Sequence, residues 1–328
     1  MSRFSRFFLL ATLCLVSSPA ALPQQTQDQD TTSGEEEAPP AVPRVLGEAR
    51  TEIELASWNS MSTAATAQEK IRLGLIFLST YPNSGLSPYV HQEMALSYYN
   101  TEDFEKFANQ AELALKELPS DIVLLSLLAR YHAENEEPNK AIQTARKGLQ
   151  LIESVQKPSA LSLRQWLEQL NQNKADLNYA EGLALYNSAM KMTGGNTTIF
   201  ERASKSFEVA LEADPKFDYA YYQMAVSYLK LNNADGAIEN LARSVALEGL
   251  SADPARNLLS RVYEALEKEP DEINQIVEQQ KNYIQQRVEQ VQATIQERID
   301  AEASQFPPSL DQASPSLQDS PGSSPPPN

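Results

Sequence analysis

Along most of this chain, apolar residues fall three and four positions apart. The run Leu161, Leu163, Trp166, Leu167, Leu170 is one example. That spacing puts them on one face of a helix, whereas a half-buried strand would show every second position apolar. Clean alternation of β-branched and aromatic residues is absent. Prolines punctuate the helical pattern at Pro82, Pro88, Pro119, Pro138, Pro158, Pro215, Pro254 and Pro270. The body of the chain is therefore expected to be all-α, as short helices separated by turns.

The pattern changes at both ends. Met1–Arg6 carries Arg3 and Arg6, Phe7–Val16 is apolar, and Ser18-Pro19-Ala20 supplies small residues. A charged start, an apolar middle and a small-residue exit describe a secretory signal over 1–20, cut after Ala20. The apolar run is shorter than the roughly 20 residues of a bilayer span, so an uncleaved anchor is the weaker reading. Residues 21–45 are Gln, Thr, Ser, Pro and acid, and 305–328 is rich in Pro and Ser. Such stretches hold too little apolar surface to offset the entropy of ordering, and both are expected to be disordered.

The helical body repeats. Ala111-Glu-Leu-Ala114 and Phe207-Glu-Val-Ala210 stand at equal distances before Pro119 and Pro215. Met94-Ala95-Leu96-Ser97-Tyr98 returns as Met224-Ala225-Val226-Ser227-Tyr228. Pro88–Asp121 and Ile122–Val155 are each 34 residues long. These residues resemble the tetratricopeptide repeat, a helix–turn–helix of 34 residues. The first match carries Ala95, Tyr98, Ala114 and Pro119, with Phe107 and Ala111 exchanging the usual small and large residues. The second carries Leu128, Ala129 and Ala141, with His132, Gly148 and Glu153 as departures. The third carries Gly182, Ala203, Phe207, Ala210 and Pro215, and the fourth Tyr221, Met224, Ala225, Tyr228, Ala237 and Leu241. Tyr81-Pro82-Asn83-Ser84 ends a half-match and is similar to repeats of exported bacterial outer-membrane-assembly proteins. The resemblance implies a right-handed helical solenoid over 46–266, because no single repeat buries its own apolar face.

Two stretches depart from the period. Gly182 to Ala203 is 21 residues where the family has 12, so about nine extra residues are expected in the turn around Gly194-Gly195-Asn196. Lys157–Lys174 is expected to extend the first helix of that repeat. The segment 267–304 holds a long helix from Pro270 to Ser304. Val277, Ile284, Val288, Val291 and Ile295 keep a and d spacing. That stripe fits either a capping helix on the last repeat or weak self-association, as in a coiled coil, through 277–295.

Composition narrows the function. With 27 Lys+Arg against 44 Asp+Glu the net charge is −17, unfavourable for nucleic acid or anionic lipid. The lone cysteine, Cys14, lies in the signal run, and His91 and His132 are the only histidines. No phosphate loop, nucleophile elbow or metal motif is present, so the chain is read as a non-enzyme without cofactor or metal. The thirteen tyrosines are the informative feature. In the family, fixed positions of each first helix line the concave groove. The resemblance carries these over to Tyr89, Gln92, Tyr99, Arg130, Tyr179, Tyr186, Tyr219, Tyr222 and Lys230. A peptide or partner helix is the expected ligand, held by an exported periplasmic or secreted scaffold. The alternative is an envelope component that self-associates through its last helix.

Overall fold

The computed structural model describes residues 45–192 and 196–305. The signal segment, nearly all of the 21–45 linker, Gly194-Gly195 and the tail from 306 lie outside them. Among the described residues there are twelve α-helices and no strands. They are α1 (Glu52–Ser62), α2 (Ala67–Thr80), α3 (Ser87–Asn100), α4 (Phe104–Glu117), α5 (Ile122–Glu134) and α6 (Pro138–Leu151). Then come α7 (Leu163–Lys191), α8 (Thr197–Ala213), α9 (Asp218–Lys230), α10 (Ala234–Ala246), α11 (Ala252–Ala265) and α12 (Glu272–Gln305). Side chains that accept from backbone N–H groups start many of them, including Thr51, Thr66, Asp103, Asp121 and Asn233.

The helices stack as pairs: α1/α2, α3/α4, α5/α6, α7/α8 and α9/α10. Each second helix also touches the next first helix. The first helices α3, α5, α7 and α9 touch in sequence and so form one continuous row. The tetratricopeptide-like solenoid expected from the repeats is thus present. One turn geometry recurs inside three pairs. Glu102, Glu136 and Asn232 adopt left-handed backbone, with φ of 58°, 57° and 56°. The next N–H closes back to Tyr98 O (3.0 Å), His132 O (2.9 Å) and Tyr228 O (2.9 Å).

Small residues set the pair spacing. Ala95, Ala129 and Ala225 are wholly buried, and a Cβ on Gly182 would lie 2.7 Å from the Phe207 ring. The exchange of Phe107 and Ala111 keeps both buried, and Phe107 reaches Tyr131 of the next pair, ring centres 6.2 Å apart. The core passes through α5, which sends Leu124 and Leu128 to one side and Leu125, Ala129 and Ala133 to the other.

The third pair corrects one expectation. Its nine additional residues do not form a large turn. Measured from Gly182 and Ala203, α7 runs four residues further than its counterpart and α8 starts three earlier. Only two residues lengthen the turn. No helix breaker stands between Gly182 and Gly194, so hydrogen bonding continues. The extension before this pair does join α7, but only from Leu163, where Ser162 and Gln165 form a capping box.

The last helix folds back on the solenoid. Ile273, Val277, Ile284 and Ile295 are buried against the chain itself, while Val288 and Val291 are only partly covered. The helix extends beyond the last repeat and crosses α10, α8 and α7. Glu267 makes the same left-handed turn after α11, but Glu269-Pro270-Asp271 delay the next helix and redirect it.

If these pair contacts set the spacing, Ala225→Leu overpacks the α9/α10 crossing. It should cost about 1–3 kcal/mol, read as a lower denaturant midpoint at unchanged m. An unchanged midpoint would show that Ala225 does not sit at the crossing.

Candidate functional site

The row of first helices is the surface on which the family groove lies, and its side chains bridge one repeat to the next. On α3, Gln92 Nε2 donates to Asp121 Oδ2 at 2.5 Å, while Asp121 Oδ1 caps α5. One step along, Ser126 Oγ donates to Asn173 Oδ1 at 3.0 Å, joining α5 to α7. Further on, Arg130 Nη1 reaches Asp176 Oδ1 at 3.4 Å and its Nε donates to Glu134 Oε1 at 2.9 Å. At the far joint, Asp218 Oδ2 accepts from both Ser251 N (2.9 Å) and Ser251 Oγ (2.8 Å). A Cβ on Gly249 would come within 2.3 Å of that carboxylate, so glycine is required there.

Arg130 is the centre of this ladder. Its guanidinium carbon lies 5.6 Å from the Tyr179 ring centre and 5.7 Å from that of Phe217. The Tyr179 and Phe217 rings are themselves 4.7 Å apart. Burial acts to lower the Arg130 pKa, but Glu134 and Asp176 outweigh it and the net shift is upward. At Asp176 burial wins over the guanidinium and raises the carboxyl pKa, with repulsion from Asp214 and Glu134 adding to the rise. Burial likewise raises Asp214 beside it.

The nine residues expected to line a groove separate into two groups. Gln92 and Arg130 are repeat-to-repeat bridges. Tyr179 is 3 % exposed and is packing, not a presented ring. Tyr89 meets Trp58 edge-on at 6.5 Å, and Tyr99 packs on Phe104 and Phe107 at 5.5 and 5.2 Å. Tyr179 is enclosed because Phe217 and Arg130 of flanking repeats cover it. The second group is Tyr186, Tyr219, Tyr222 and Lys230. The three rings are half-buried and Lys230 is exposed. Tyr186 rests on Phe200 at 5.5 Å. Tyr222 lies close enough to act electrostatically on both Tyr186 and Tyr219. Burial raises the phenol pKa values of Tyr186 and Tyr219, so those two hydroxyls stay protonated at neutral pH.

Several contributors were not singled out from sequence: Asp121, Asn173, Asp176 and Phe217. Asp176 carried a usable signal, one turn before Tyr179 on the same helix. His91 and His132 lie apart in function. His91 Nδ1 bonds Gln110 at 2.7 Å, and buried His132 bonds Glu137 at 2.6 Å through Nδ1. Among the described residues no three His, Cys, Asp or Glu side chains gather to hold a metal, and no helix is long and apolar enough to cross a membrane.

No family model and no curated protein matches the chain. Solved structures share the likeness of fold at low identity. A MamA double mutant is 12 % identical with a TM-score of 0.45, over 61 % of this chain and 97 % of that one. A crystal structure of MamA protein is 17 % identical with a TM-score of 0.41, over 62 % and 96 %. The assembly chaperone of RpL4, Acl4, is 13 % identical with a TM-score of 0.46, over 74 % and 98 %.

If Arg130 is a bridge and not a ligand contact, Arg130→Ala strands two carboxylates, one of them buried. It should cost about 3–5 kcal/mol of unfolding free energy. Adding Asp176→Ala should restore part of that loss. A single-mutant cost below about 1 kcal/mol in denaturant melts would remove Arg130 from the structural role.

Proposed function

We propose that the chain is a non-catalytic protein-interaction scaffold, exported to the cell envelope, that holds a peptide or partner helix on its first-helix row. The observation that carries this is the cluster of Tyr186, Tyr219 and Tyr222. These rings sit on neighbouring first helices, α7 and α9, with Tyr222 close to both others, and each stays half-buried, as Tyr89 and Tyr99 do on α3, whereas Tyr179 is enclosed. Rings seated on rigid helices lose little freedom when a ligand arrives, and their hydroxyls give hydrogen bonds at the rim of an apolar contact. Lys230 adds a cation at the far end of α9. The self-associating alternative is the weaker reading, because Val277, Ile284 and Ile295 of the stripe it needs are already buried against the solenoid.

Two measurements test the proposal. The double variant Tyr186→Ala/Tyr222→Ala should keep its helicity and bind the native partner about 2 kcal/mol more weakly, roughly 30-fold in Kd. Full capture by a folded double variant would place binding elsewhere. For export, the charged and apolar start predicts a mature protein beginning near Ala21. N-terminal sequencing that finds Met1 intact on a cytoplasmic product would refute that half of the proposal.

A further inference from the structure

The long helix α12 is seated unevenly. Its first part is fixed. Ile273, Val277 and Ile284 are each 7 % exposed or less. Arg243 of α10 clamps the same stretch. Its Nε donates to Gln280 Oε1 at 2.8 Å, and its guanidinium carbon lies 4.1 Å from the Tyr283 ring centre. Lys281 adds an ion pair to Glu248 at 3.5 Å.

Beyond Ile284 the seating changes. For the ten residues 285–294, roughly 15 Å of helix, no side chain of α12 is fully buried. Under this span lies a cavity of about 150 Å³. Glu168, Asp214, Ala213 and Pro215 face it from the solenoid, and Val288, Val291 and Ile295 face it from α12. Val288 keeps some contact with the core beneath, but across the gap the arm lacks contact atoms on one side and gains less attraction than the root. Contact resumes at one place. Ile295 is 3 % exposed, and Arg164 of α7 donates to Gln292 Oε1 at 3.3 Å and also to Gln296. Arg164 is itself largely in solvent and is 4.0 Å from Glu168, which competes for it.

From this we infer that α12 is a strap with a fixed root, 272–284, and a releasable arm, 285–305, latched by Arg164 and Ile295. Opening the latch costs two exposed hydrogen bonds to neutral amides and one buried side chain, while the root keeps its three. The open arm presents Val288, Val291 and Ile295 as an apolar stripe, and it widens the already partly open pocket into a cleft beside the N-terminal end of α7. The device lies apart from the tyrosine cluster and does not depend on it.

Hydrogen exchange of the full chain, followed by mass spectrometry, tests this. Amides of 288–296 should exchange at least tenfold faster than those of 273–284, the frayed end 297–305 being left out of the comparison. Arg164→Ala should speed exchange of 288–296 several-fold further and leave 273–284 unchanged. Ile295→Ala, which weakens the latch from the other side, should act in the same way. Equal protection along 273–296, or variants that loosen root and arm together, would overturn the inference, since α12 would then open as one body or not at all.

Discussion

Two helices can cross closely only where neither carries bulk at the contact, and the whole stack rests on that limit. Ala95, Ala129, Gly182 and Ala225 occupy it in four successive pairs, each with essentially no solvent exposure or no room for a Cβ. With the pair distance held short, Phe107 beside them projects into the neighbouring pair, while Phe207 fills its own pair against Gly182 and Tyr179. The left-handed residue that follows α3, α5 and α9 then sets the angle at which the chain returns in those pairs. Spacing and return angle together place α3, α5, α7 and α9 side by side, and every bridging contact on that row follows.

That much was legible in the sequence because it depends on residue size at a fixed period. What was not legible depends on what lies across a gap. The spacing from Gly182 to Ala203 shows an insertion, but not whether it lengthens a loop or two helices. The stripe Val277–Ile295 reads the same whether it meets another chain or folds back. Its fate is decided by the three residues Glu269-Pro270-Asp271, which carry it off the path of a regular second helix. The tyrosines show a related limit. Position along a first helix fixes the face a ring shares, yet Tyr179 is enclosed by Phe217 and Arg130 from flanking repeats while Tyr222 is left half-exposed.

Electrostatics adds a second constraint to the row. The chain is acidic, and part of that charge is buried: Asp121, Asp176 and Asp214 all have pKa values raised by burial. One guanidinium, Arg130, serves two of the neighbouring carboxylates and two aromatic faces at once. The middle of the row is therefore tied across repeats by charge and ring contacts. The side with Tyr186, Tyr219 and Tyr222 retains accessible ring surface.

A stack in which each unit touches only its neighbours unfolds by fraying, one unit at a time. The crossing of α12 changes that for part of the molecule. Arg164 and Gln292 are 128 positions apart in the chain, and Arg243 and Gln280 are 37 apart. Contacts of that reach tie the α7–α12 portion into one cooperative block, at the cost of slower folding because long loops must close first. Helices α1–α6 have no such tie and keep the behaviour of a linear array. Pulled from its two ends, this protein would yield pair by pair from the amino-terminal side and then give way in a single larger step.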